Sequence, residues 1–137
     1  MIYCVNQLTK SFGKHTALRN LCVEISEPGI YGILGPNGAG KSTFIKLMLK
    51  ILTPSSGNIY YNGKNIEHAG NDYFRNIGAV LEGNRNLYWY MSAKENLCYY
   101  GRLMGLADHV IRNRTEELLS VMDLQGHENK KVGYCSR

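Results

Sequence analysis

Gly35-Pro36-Asn37-Gly38-Ala39-Gly40-Lys41-Ser42 has the residue types and spacing needed to hold a triphosphate, fitting GxxxxGK[ST] at every fixed position. Polyphosphate has to be wrapped by backbone N–H groups. Side chains at positions 35, 38 and 40 would obstruct that approach or forbid the φ values it needs, and Asn37 and Ala39 complete the wrap. A helix starting near Lys41 aims its free N–H groups and the positive end of its dipole at the anion. Lys41 supplies a full charge for the β- and γ-phosphates, Ser42 a hydroxyl for Mg²⁺, and Thr43 a hydrogen bond to the α-phosphate. The implied ligand is ATP with Mg²⁺. The competing reading is a glycine-rich turn that happens to contain Lys-Ser. Context favours the phosphate loop, because an apolar run precedes it and an apolar helical pattern follows it.

Those flanking elements must position the loop. Residues 2–8 and 17–25 carry strand-favouring residues on either side of KSFGKH, which predicts two strands of a small antiparallel sheet. Ile30 to Leu34 reads as a buried strand leading into the loop. From Lys41 onward, Phe44, Leu47, Met48 and Ile51 recur at helical spacing, and Ile45, Leu49 and Leu52 line a second stripe. This predicts a mostly buried helix ended by Pro54 and the Ser-Ser-Gly at 55–57. Asn62-Gly63 between strand-favouring residues predicts a hairpin, and Ile77 to Leu81 a further short strand. Ser92 with Glu95 forms a capping box, so a helix is expected to about Met104. Asp108 is a candidate cap for the next, with Ile111, Leu118 and Met122 on one face. The change of character near residues 82–91 suggests two parts, 1–81 and 82–137.

Composition bounds the class. The chain has 137 residues, 44% hydrophobic and 20% charged, as for one ordinary folded domain. The net charge of +5 is dispersed, with Lys10, Lys14 and Arg19 far along the chain from Arg112, Arg114, Lys130 and Lys131. That pattern fits a solvated face plus a few phosphate ligands, and no nucleic acid is expected as a partner. Cys4, Cys22, Cys98 and Cys135 show no CxxC pair and read as thiols in a reducing compartment. No apolar run is long enough to cross a bilayer, so the chain is expected in the cytoplasm, with any membrane contact made through a partner.

GPNGAGKST at 35–43 closely resembles the loop of ATP-binding cassette (ABC) transporter ATPases, and the resemblance continues over nearly the whole chain. It implies an α/β P-loop NTPase (RecA-like) core with an antiparallel β subdomain and the start of an α-helical subdomain. LTKSFGKHTAL at 8–18 is similar to the segment bearing the family's adenine-stacking aromatic, which would be Phe12. A sheet-edge packing role is the alternative. SSGNIYYNGKNI at 55–66 resembles the family's hairpin after the loop helix. The stretch at 76–97 resembles the one that usually carries a glutamine reaching Mg²⁺ and the attacking water. Here that position is Glu82, which keeps oxygen ligands and adds negative charge but loses the amide N–H donors. A similar replacement occurs in a bacterial branch of multidrug and peptide-antibiotic exporters. Glu82 reads otherwise as a plain loop carboxylate. Tyr88, Trp89 and Tyr90 follow, where the family docks its membrane subunit; pinning of the helical part is the other reading. NKKVGYCSR at 129–137 resembles the approach to the family signature, with Ser136 as the serine that reaches γ-phosphate across a dimer of ATP-binding subunits and Cys135 in place of a more usual Leu or Tyr.

Hydrolysis in the family also needs a strand ending in Asp, a following catalytic Glu and a switch His. None is found here, so no catalytic residue is assigned. LLSVMD at 118–123 is the nearest imitation, and it sits on a helical pattern. Very slow hydrolysis is expected, and the chain looks like a fragment or truncated product of a longer one. The resemblance implies an ATP-binding subunit partnered by an integral membrane permease and a second ATP-binding subunit, peripheral on the inner face of the membrane, with a lean to export. The alternatives are a non-transport ABC ATPase, a stand-alone nucleotide-binding module and, more remotely, a small-molecule P-loop kinase.

Overall fold

The computed structural model describes residues 2–83 and 86–134. The chain divides into two compact units, Met1–Ala79 and Val80–Arg137.

In the first unit β1 (Tyr3–Phe12) and β2 (His15–Ile25) form a long antiparallel hairpin. Both strands extend further than the expected 2–8 and 17–25. The turn has shrunk to two residues, and Gly13 at φ 58° lets Phe12 pair directly with His15. β1 also pairs with β3 (Ser56–Tyr61), which turns into the short β4 (Lys64–Asn65), giving the antiparallel order β2-β1-β3-β4. The β3–β4 turn is the Asn-Gly read from the sequence. Asn62 and Gly63 both take positive φ, 47° and 77°, as a type I′ turn requires.

Val5 and Leu8 are three residues apart yet both face the core. A bulge with Gln7 at φ 48° inserts the extra residue that keeps them on one face. They meet Ile59 of β3, and Phe44 and Leu47 of α1 (Lys41–Met48), with Ile66 and Tyr73 closing the cluster. Tyr73 belongs to the one-turn helix α2 (Asn71–Arg75). Its hydroxyl donates to the Met48 carbonyl at 2.6 Å, and burial raises its phenol pKa.

Three expectations for residues 30–81 need correction. Ile30 to Leu34 forms no strand, and Ile30 and Leu34 are almost wholly exposed, at 105% and 94%. A central strand needs neighbours for its N–H and C=O groups and cover on both faces, and no described strand pairs with this run. Ile77 to Leu81 likewise forms no strand, and Val80 is exposed. The helix from Lys41 ends at Met48 instead of running on to Pro54. Lys50 adopts φ 55°, its N–H bonds the Leu47 carbonyl at 3.0 Å, and that of Ile51 the Lys46 carbonyl at 2.9 Å. This is a Schellman closure with lysine where glycine is usual. One apolar stripe is therefore buried, through Phe44 and Leu47, while Ile51 lies outside the helix and is exposed.

In the second unit α3 (Ala93–Leu103) starts with the expected reciprocal capping box between Ser92 and Glu95. α4 (Asp108–Val121) packs beside it, with Gly101 giving the close approach: a Cβ there would lie 2.9 Å from Ile111 Cγ1. The cap of α4 is Ala107 rather than Asp108, which stands in the first turn without a side-chain capping bond and lies 3.4 Å from Arg102 Nε. Its buried face is Ile111, Thr115 and Leu119, while Leu118 and Met122 are exposed. The i, i+4, i+8 row includes a threonine, and apolar spacing alone passed over it. LLSVMD is helical through Val121, as expected.

Candidate functional site

The N-terminus of α1 is built open. Its cap is Gly40, at φ 89° with no side-chain capping bond, and the first helical bond runs from the Phe44 N–H to the Gly40 carbonyl at 2.8 Å. The N–H groups of Lys41, Ser42 and Thr43 consequently have no acceptor within the helix. An uncapped helix start with a positive dipole end is suited to an anion.

The loop glycines serve different purposes. A Cβ on Gly40 would lie 2.5 Å from the Ala17 carbonyl oxygen and 2.8 Å from Leu18 Cδ2, so glycine lets the loop press onto β2. At Gly38 nothing lies within 4 Å, and only its φ of 83° calls for glycine. The open space there is what a ligand approaching the backbone needs. Ala39 closes the turn with an N–H bond to the Pro36 carbonyl at 3.2 Å.

Lys41 folds back over this turn. Its Nζ donates to the Gly35 and Pro36 carbonyls, both at 2.7 Å. An ammonium has three donors, so one N–H remains for a phosphate while the other two hold the charge above the loop. Ser42 is exposed on the first turn and Thr43 is half-buried. Gly35, Asn37, Gly38, Ala39, Gly40, Lys41, Ser42 and Thr43 thus form one continuous turn and helix start, with the Lys41 ammonium held over the turn and the first helical N–H groups open.

Phe12 stands at the β1–β2 turn, 47% exposed. Glu82 lies in the second unit, exposed on a bend followed by Gly83 at φ 102°. Among the described residues no three His, Cys, Asp or Glu side chains cluster as metal ligands. Ser136 and Cys135 lie outside the described residues.

Two asparagines matter that the sequence reading passed over. Asn86 braces the Glu82 bend: its amide donates to the Leu81 carbonyl and to that of Gly83 at 3.1 Å, and its Oδ1 accepts from the Leu81 N–H at 3.3 Å. Asn96 is buried on α3. It accepts from the Tyr88 N–H at 2.8 Å and donates to the Tyr88 and Ser92 carbonyls, both at 3.0 Å. Its position four residues after a capping serine was the available signal. The aromatic triplet divides. Tyr88 packs on Tyr99, with ring centroids 4.9 Å apart, and pins the segment, whereas Trp89 and Tyr90 are 48% and 69% exposed.

The family model described as ABC transporter matches residues 18–136. The ABC transporter ATP-binding protein NatA of Bacillus subtilis is 37% identical over 88% of this chain and 49% of its own length. The bacitracin transport ATP-binding protein BcrA of Bacillus licheniformis is 34% identical over 91% of this chain and 39% of its own. An Fe(3+) ions import ATP-binding protein, FbpC of Escherichia coli O157:H7, is 30% identical over 96% of this chain and 37% of its own. The structure of cbiO1 from Clostridium perfringens, part of the ABC transporter complex cbiONQ, superposes with a TM-score of 0.80 at 27% identity, covering 95% of this chain and 53% of that one. The chain spans half or less of the length of these curated relatives.

Proposed function

This chain belongs to the ABC transporter family, and from that premise we propose that Gly35–Thr43 holds the triphosphate of ATP·Mg²⁺ for a subunit that powers a membrane permease. The observation that carries this reading is Lys41, tied to two loop carbonyls above an uncapped helix start. Backbone N–H groups of the loop wrap the phosphates, the remaining Lys41 donor neutralises the outer ones, and the Ser42 hydroxyl is the protein ligand offered to Mg²⁺. Bound Mg²⁺ would neutralise charge between the outer phosphates. Phe12 offers a half-exposed ring for adenine. Glu82, on its asparagine-braced bend, is a second oxygen ligand for the metal, and Ser136 a donor to the γ-phosphate of a second ATP-binding subunit.

The partners follow from the same reading. They are an integral membrane permease, docked in part by Trp89 and Tyr90, and a second copy or homologue of this subunit. Among the described residues no helix is long and apolar enough to cross a membrane. The proposed place of work, the cytoplasmic face of a permease, rests on the similarity to ABC transporter ATP-binding proteins. Export is the proposed direction, supported by Glu82, with similarity to an iron import protein standing against it.

Calorimetric titration tests the central assignment. Lys41→Ala is expected to weaken ATP binding by about a hundredfold, since a charge-assisted contact to phosphate contributes about 1.5–3 kcal/mol and the helix start loses its only full charge. Unchanged ATP affinity in that variant would contradict the assignment.

A further inference from the structure

We propose that Lys10 is a positioning residue for the base: it covers one face of the Phe12 ring and thereby leaves a single, electronically prepared face for adenine. This rests on the reading of Phe12 as the adenine platform. Lys10 and Phe12 are two apart on β1, so their side chains rise from the same side of the strand. The Lys10 ammonium lies 5.2 Å from the Phe12 ring centroid. It is not a wandering surface charge, because the same Nζ donates to the Thr53 carbonyl at 2.6 Å, beyond the end of α1. Lys10 therefore ties the hairpin that carries Phe12 to the segment following the helix that carries the phosphate loop.

Two consequences follow for a base. A ring with a fixed cation on one face can stack only on the other, which removes half of the possible arrangements. The cation also draws π density toward itself and leaves the outer face less electron-rich, which favours contact with an electron-rich purine. Hydrogen bonds to the base edge are not required. The loop itself reads only phosphate, so Lys10 affects nucleotide affinity through the base alone.

That division sets the experiment. ATP and inorganic tripolyphosphate are titrated separately into the wild-type chain, Lys10→Met, Lys10→Arg and Phe12→Ala. Lys10→Met is expected to weaken ATP about two- to fivefold, the size of an exposed cation–π contact, and to leave tripolyphosphate unchanged. Lys10→Arg, which keeps the cation, is expected to restore ATP binding. Phe12→Ala is expected to weaken ATP at least about fivefold, with tripolyphosphate again unchanged. If Phe12→Ala binds ATP as the wild type does, the adenine platform itself is wrong. If Phe12→Ala loses ATP but Lys10→Met does not, the platform stands and the role of Lys10 is overturned. An equal loss of both ligands in Lys10→Met would make Lys10 a structural tether of the hairpin and overturn it too.

Discussion

β1 and the run from Ile30 to Leu34 look alike on paper, since both are short stretches of strand-favouring residues, yet one forms the centre of a sheet and the other forms no element. Val5 and Leu8 of β1 are 1% and 0% exposed because β2 and β3 satisfy the backbone on either side and α1 covers the face. Ile30 and Leu34 have side chains of the same kind and no hydrogen-bonded neighbour strand among the described residues. An apolar run is a request for partners, and the partners decide whether it becomes a strand. The phosphate loop lies between the two regimes. Its entry segment is unpaired, while its exit, from Gly40 into α1, is packed on β2 and the core.

The strongest way to break this comparison is by truncation. Leu8→Ala should destabilise the first unit by about 2–5 kcal/mol in urea unfolding, whereas Leu34→Ala should lie within about 0.5 kcal/mol of wild type. Similar losses in both would mean that Leu34 is buried in solution. A finer version compares two loop glycines. Gly40→Ala combines a left-handed φ with a clash against β2 and should cost about 2–4 kcal/mol. Gly38→Ala meets only the φ penalty, about 1–2 kcal/mol. Equal effects would show that the loop does not press on β2.

The smallest expected effect concerns an element that needs no distant partner. Ser92→Ala should weaken the start of α3 by about 1 kcal/mol, read by exchange of its first-turn amides. The Glu95 carboxyl is held below the usual carboxylate range, chiefly by the Ser92 backbone N–H and then by the Ser92 side chain. A depressed folded pKa means a contribution present above the unfolded pKa and lost as pH falls through the folded value. Protection of the α3 start should therefore persist at neutral pH and fade below the ordinary carboxylate range, and Glu95→Gln should flatten that profile.

What was legible in the sequence follows the same division. The helix start at Lys41, the Asn62-Gly63 turn and the Ser92–Glu95 box are local, with a few residues specifying their own backbone, and all three form where the sequence places them. Ile30–Leu34 and Ile77–Leu81 carried real strand propensity, but their state depended on neighbours that a local pattern does not report. The helix stop at Met48 was hidden because a lysine takes the left-handed position. Asn86 and Asn96 were missed because a bracing side chain acts through the carbonyls it reaches, and no spacing rule names those.

Amide hydrogen exchange of Lys41, Ser42 and Thr43, measured with and without ATP, tests the central claim most directly. Protection of these three amides by ATP, absent in Lys41→Ala, is the predicted result. ATP binding that leaves their exchange unchanged would contradict it.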